Sequence, residues 1–83
     1  MNKSAREMFE ELGYEKEQKI EIDRIGHKHI CFRNKNNKFT TIHFDIDTKE
    51  FGKGWDYITI PELKAINQMC KELGWLDDQR RAN

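Results

Sequence analysis

Histidine, cysteine and carboxylate residues alternate along the middle of the chain. They are Glu21, Asp23, His29, Cys31, His43 and Asp45. These residue types bind zinc, and neighbours on adjacent strands lie close enough to share one ion. The spacing of His27, His29 and Cys31 is a weaker indication of the same kind. A metal-dependent or cysteine-dependent enzyme would use His29, Cys31, His43 and Asp45, with His43 activating Cys31.

A polar outer sheet face explains the same residues without any chemistry. An antiparallel sheet with one face in water carries polar side chains there, and a histidine beside a carboxylate is an ordinary surface ion pair. The usual structural zinc spacings are absent from the chain. Our preferred prediction therefore contains no metal, no cofactor and no catalytic residue.

A second candidate site is the glycine-containing segment from Phe51 to Tyr57. Its backbone amides and Lys53 could hold a phosphate, and Trp55 or Tyr57 could stack on a base. The segment lacks the spacing of a P-loop, and the alternative is a glycine turn whose aromatic residues cover the end of the core. Exposed aromatic residues would suit a protein interface. We predict binding roles for Phe51, Lys53, Trp55 and Tyr57.

A third feature is a basic loop with Arg33, Lys35 and Lys38 among three asparagines. We include Arg33 and Lys35 among the predicted binding residues because they could contact phosphates. However, 15 Lys and Arg residues balance 15 Asp and Glu residues. Since non-specific nucleic-acid affinity needs a basic surplus, a nucleic-acid-binding regulator is the weaker alternative.

Length and composition limit the class of protein. A chain of 83 residues has room for one small core. Its mean hydropathy is −0.97, and its apolar runs are far shorter than a membrane span, so we predict no membrane association. Cys31 and Cys70 lie far apart without a CxxC motif, and no secretory signal is visible. We therefore predict two reduced thiols and a cytoplasmic location.

Two capping boxes predict the helices. Ser4 precedes Glu7 by three residues, and Thr59 precedes Glu62 in the same way. Apolar residues at helical spacing follow each box, and a glycine stands after each run. The pattern predicts helices over 5–12 and 60–73.

Apolar residues spaced by two predict the strands. The runs are Ile20 and Ile22, Ile30 and Phe32, and then Ile42, Phe44 and Ile46. A fourth short strand over 50–53 is a further option. We predict an α+β fold in two layers: an antiparallel β-meander of three to four strands with two helices packed on one face, in the order α-β-β-β-(β)-α. Residues 1–76 form one domain in this prediction, and 77–83 form a polar, frayed tail.

Pairing the apolar residues predicts the register of the outer face. If Ile22 faces Ile30 and Ile30 faces Phe44, then His29 lies between Asp23 and Asp45. In the same register, Cys31 lies between Glu21 and His43. A slip of one residue in the register would move these side chains to the opposite face of the sheet.

The ends of the chain resemble a known family. The segments are Ser-Ala-Arg-Glu-Met-Phe-Glu-Glu-Leu-Gly-Tyr at 4–14, Asp-Tyr-Ile-Thr-Ile-Pro-Glu-Leu-Lys-Ala-Ile-Asn at 56–67 and Lys-Glu-Leu-Gly-Trp at 71–75. They are similar to small accessory proteins of bacterial phages and prophages, for which no catalytic residues are assigned. The resemblance implies a role in the cytoplasm of a bacterial host.

Short phage proteins of this type often act by binding. We therefore expect a non-enzymatic protein that neutralises a host component, most simply an antiphage defence factor. It would inhibit a host protein or sequester a nucleotide immune signal. Sequestration favours a homo-oligomer with sites between subunits, because a single small chain has little depth in which to enclose a ligand.

Overall fold

Two helices and five antiparallel strands make up the part of the chain that the structure describes. The computed structural model describes residues 3–54 and 56–76, so the predicted tail over 77–83 lies outside the described residues. The α+β class is confirmed. In chain order the elements are α1 (Ala5–Glu11), β1 (Tyr14–Lys16), β2 (Glu21–Ile22), β3 (Lys28–Asn34), β4 (Thr41–Asp45), β5 (Glu50–Lys53) and α2 (Ile60–Glu72).

Both helices begin at the predicted capping boxes. The Ser4 hydroxyl accepts from the Glu7 amide at 3.1 Å, and the Glu7 carboxylate accepts from the Ser4 amide at 2.9 Å. Thr59 and Glu62 form the same reciprocal pair at the start of α2. Gly13 and Gly74 follow the two helices with φ of 90° and 80°, the left-handed conformation expected after a C-cap. Neither helix in the described part of the chain is long and apolar enough to cross a membrane.

β3 is the central strand of the sheet. It pairs with β4 along one edge, and β4 pairs in turn with β5, which confirms the short fourth strand of the prediction. The predicted register between β3 and β4 is also confirmed, because Ile30 opposes Phe44, His29 opposes Asp45 and Cys31 opposes His43.

The other edge of β3 differs from the prediction, because two short strands share it. β1 pairs with the C-terminal half of β3, and β2 pairs with the N-terminal half. Lys16 opposes Phe32, and Glu21 opposes His29. Between these two pairs the edge has four residues, 17–20, whereas β3 has only two, 30 and 31. This bulge places Ile22 opposite Lys28 rather than Ile30, and Glu21 opposite His29 rather than Cys31. A shift of two residues keeps Glu21 on the outer face with His29. Ile22, predicted to face the core, is instead exposed and lines the groove on the outer face.

Aromatic side chains form the centre of the core. The Phe9 ring of α1 stacks on Phe32 of β3 with 4.2 Å between centroids, and Phe44 of β4 meets both rings edge-on. Tyr14 of the unpredicted strand β1 completes the group, whereas Ile20 and Ile22 are 51% and 67% exposed. The remaining buried members are Ala5, Ile42, Ala65, Ile66, Met69 and Cys70. That both helices lie over one face of the sheet stays a prediction.

Candidate functional site

The sheet face opposite Phe32 carries the chemistry-bearing side chains. Alternation along β3 and β4 brings His29, Cys31 and His43 to this face. The face contains an open groove of about 270 Å³, which we call the outer groove. Its lining residues are Glu21, Ile22, Asp23, His29, Cys31, Arg33, Thr41 and His43. The outer groove therefore unites most residues of the predicted polar face.

Two histidines and two aspartates meet at one end of the outer groove. We call Asp23, His27, His29 and Asp45 the His–Asp cluster. Asp23 Oδ2 lies 2.8 Å from His29 Nε2 and 4.0 Å from His27 Nδ1. Asp45 Oδ2 lies 3.1 Å from His27 Nδ1 and 3.8 Å from His29 Nε2. The Oδ2 atom of each aspartate thus lies within 4.0 Å of a nitrogen of both imidazoles.

Backbone amides orient both carboxylates of the cluster. Asp23 Oδ1 accepts from the amides of Ile25 and His27, at 3.0 and 2.9 Å. Asp45 Oδ1 accepts from the amides of Asp47 and Thr48, at 2.9 and 3.1 Å. In each aspartate one oxygen is fixed by the turn that follows it, which leaves the other oxygen directed at the imidazoles.

These hydrogen bonds keep both aspartates ionised. The bond with His29, followed by the backbone bonds from His27 and Ile25, lowers the pKa of Asp23 to about 2. Burial raises the pKa of Asp45, but bonds from the Thr48 backbone and from His27 outweigh it, so the pKa is below its usual range. Asp23 and Asp45 are therefore both negatively charged at neutral pH.

Cys31 and His43 oppose each other but do not form an activated pair. Burial, reinforced by the negative charges of Glu21 and Glu17, raises the pKa of the Cys31 thiol to about 11. Burial and the neighbouring His29 lower the pKa of His43. Within residues 3–54 and 56–76, no hydrogen bond joins the two side chains. At neutral pH the geometry presents a protonated thiol beside a neutral imidazole, and it gives no support to nucleophilic catalysis.

Arg33 lines the other end of the outer groove among acidic residues. Its Nε lies 3.1 Å from Glu17 Oε2, an ion pair without hydrogen-bond geometry, and its Nη2 lies 3.9 Å from Glu21 Oε2. Lys35 is exposed, and its amide donates to the Gly13 carbonyl. The predicted binding roles of both residues are untested, but the charge of Arg33 is already balanced.

Lys53 takes part in the packing of α2. Its side chain is 4% exposed, and its ammonium donates to Glu62 Oε1 at 2.9 Å and to the Tyr57 carbonyl at 2.6 Å. Lys53 opposes Ile42, so it lies on the face of the sheet that carries the core. Its ammonium is therefore committed within the protein, which weakens the phosphate-binding role predicted for it.

The predicted binding residues that the structure describes do not all lie on one face of the sheet. Phe51 opposes Phe44 on the core side and is half-exposed, whereas Tyr57 is 89% exposed. Trp55 lies outside the described residues. Because Arg33 lies on the outer face and Phe51 and Lys53 on the core face, the predicted set divides between the two sides of the sheet.

The described residues that could hold a metal are Asp23, His29 and Asp45, without the Cys31 and His43 of the predicted set. One ligand atom from each of Asp23, His29 and Asp45 lies within 4.8 Å of the others. The sequence indicated His27 only weakly, through its spacing with His29 and Cys31, because it lies just before β3, where strand alternation does not apply. The signal was the turn sequence Asp-Arg-Ile-Gly-His, in which Gly26 at a φ of 89° lets the chain return to Asp23.

Comparison with known proteins gave no match. No family model, curated protein or solved structure matches this chain. The resemblance to phage accessory proteins, the cytoplasmic location and the binding function thus stay predictions.

Proposed function

We propose that this chain is a non-enzymatic binding protein that engages a partner protein through the outer groove. The observation that carries the proposal is the charge of this open face. Glu21 and Asp23 line the groove and Asp45 borders it, whereas Arg33 is the one lysine or arginine lining it in the described part of the chain. Such a surface attracts basic side chains and repels phosphates.

The shape of the outer groove favours a protein over a small molecule. Pockets that enclose small ligands usually measure about 300 to 1,000 Å³. The outer groove, at about 270 Å³, is at the lower end of this range, and it is open to solvent rather than enclosed. A lysine or arginine side chain of a partner fits such a groove better than a nucleotide does. Nucleotide sequestration loses further support because the Lys53 ammonium is held by Glu62.

The protonated state of Cys31 supports a binding role over catalysis. A thiol with a pKa of about 11 supplies almost no nucleophile at neutral pH. With the phage resemblance, our proposal is that the partner is a host bacterial protein, with an antiphage defence factor as the first candidate.

Site-specific photo-crosslinking in bacterial cells tests this proposal. A photoreactive amino acid would replace Thr41 in the outer groove or, as the control position, Asn67 on the exposed side of α2. We expect one discrete protein adduct from position 41 and none from position 67. The adduct should disappear with Glu21→Lys and persist with Glu10→Lys, a charge reversal on α1.

Three results would contradict the proposal. They are equal adducts from both positions, an adduct that survives Glu21→Lys, and no protein adduct from position 41. A nucleotide that co-purifies with the unmodified protein would instead support the sequestration alternative.

A further inference from the structure

The His–Asp cluster has the donor atoms and spacing of a metal site. We propose that it binds one divalent transition-metal ion, with zinc as the best match, through His27 Nδ1, His29 Nε2 and the Oδ2 atoms of Asp23 and Asp45. This site goes beyond the proposed function and does not depend on it.

Ligand spacing is the first support for the site. Zinc bonds of about 2.0 to 2.2 Å in a tetrahedron place the ligand atoms about 3.4 Å apart. The two distances to Asp23 Oδ2 are 2.8 and 4.0 Å, and the two to Asp45 Oδ2 are 3.1 and 3.8 Å. All four lie within about 0.6 Å of the tetrahedral value. In addition, one ligand atom from each of Asp23, His29 and Asp45 lies within 4.8 Å of the others.

The fixed orientation of the carboxylates is the second support. Their Oδ1 atoms accept backbone hydrogen bonds from the turns after β2 and β4, so each Oδ2 is directed at the imidazoles before any ion binds. Outer hydrogen bonds of this kind orient metal ligands in known sites. The ion would replace the His29–Asp23 and His27–Asp45 hydrogen bonds and leave the backbone bonds in place.

The donor set selects the kind of ion. Calcium and magnesium prefer oxygen ligands, whereas two imidazoles with two carboxylates suit zinc and its neighbours in the transition series. The two aspartate charges balance those of a dication. His29 and Asp23 line the outer groove, so an ion can enter from solvent.

Calorimetric titration of the chelator-treated full chain with Zn²⁺ alone tests the site. We expect one ion per chain, with affinity at least about tenfold weaker in His29→Ala and in Asp23→Asn. His43→Ala is the matched control, because its ring lies on the same face, 5.6 Å from that of His29, but outside the cluster. This variant should bind like the wild type.

Spectroscopy of the wild-type protein keeps the test decisive if a variant fails to fold. Co²⁺ should give the intense visible bands of tetrahedral coordination without a sulfur charge-transfer band, and Zn²⁺ should shift the NMR signals of the His27 and His29 rings. A sulfur band would make Cys31 a ligand and overturn the proposed donor set. Absence of Zn²⁺ binding, unchanged affinity in His29→Ala, or equal losses in His29→Ala and His43→Ala would overturn the site.

Discussion

Glu62 accepts a hydrogen bond from the Tyr14 hydroxyl at 2.8 Å, although 48 residues separate them in the chain. The same carboxylate receives the Lys53 ammonium at 2.9 Å and caps the Thr59 amide at 3.0 Å. Burial raises the pKa of Tyr14, and Glu62 adds to the effect, so the phenol stays a donor. One carboxylate therefore connects β1, β5 and the start of α2.

Replacing Glu62 with glutamine should destabilise the protein strongly. The change leaves the buried ammonium of Lys53 without a countercharge, and breaking a buried pair in this way costs about 3 to 5 kcal/mol. Glu7→Gln is the matched control, because Glu7 occupies the same capping-box position in α1 but is exposed. We expect it to cost below about 1 kcal/mol. Urea unfolding measures both, and equal losses would contradict the connecting role of Glu62.

Acid should reduce the contribution of Glu62 to the free energy of unfolding. Burial raises its pKa, but the bonds from Lys53, from the Thr59 amide and from Tyr14 outweigh it, so the pKa lies below the usual 4.5. A lowered folded-state pKa stabilises the protein above the unfolded pKa, and that stability is lost as pH falls through the folded value.

The difference in unfolding free energy between wild type and Glu62→Gln should thus be largest above about pH 5 and become smaller below it. The contributions of Asp23 and Asp45 are common to both proteins and cancel. A difference that grows on acidification would contradict this prediction.

Phe9→Ala should remove much of the total stability. The ring is fully buried and stacks on Phe32, so its loss leaves a cavity and costs about 3 to 5 kcal/mol. Tyr57→Ala removes an aromatic ring that is 89% exposed, and it should change stability by less than about 0.5 kcal/mol. Thermal and urea unfolding of the two variants would test the assigned core, and a loss below about 1 kcal/mol in Phe9→Ala would contradict it.

The Cys31 thiol should react slowly with alkylating reagents. With a pKa of about 11, on the order of one molecule in a thousand carries the thiolate at pH 8. In a Cys70→Ser background, we expect alkylation by iodoacetamide at least about tenfold slower than that of free cysteine. Labelling in denaturant, followed by mass spectrometry, gives the reference rate. Fast labelling of the folded protein would support the cysteine-dependent alternative.

Local signals in the sequence predicted the helices and the pairing of β3 with β4. Capping boxes depend on residues three positions apart, and the β3–β4 register follows from matching two alternating apolar runs. β1 escaped prediction because it has three residues with a single buried side chain, Tyr14. The bulge before Glu21 has no such signature, and it shifted the expected β2 register by two residues.

The alternation of residues along β3 and β4 also predicted part of the candidate site. Facing pairs on β3 and β4 followed from the alternation, so His29 and Asp45 were expected together. His27 joins them through the turn after β2, which strand periodicity does not describe. The role of Lys53 depends on Glu62, and their contact requires the tertiary packing of α2. A lysine between two glycines therefore suggested a ligand-binding role from local sequence alone.

The two halves of β3, on either side of the bulge between β1 and β2, differ in how much buried apolar surface they pack against. Beside β1, the strand rests on the aromatic core. In the hairpin formed by β2 and the start of β3, Ile22 and Ile25 face solvent, and no residue from 17 to 29 is buried. Opening this hairpin exposes little apolar surface, so its amides should exchange with solvent before the core unfolds. The contact between His27 and Asp45 is then what holds this hairpin against β4. An ion bound by the His–Asp cluster would strengthen that connection, so the stability of the hairpin would depend on the concentration of the cation.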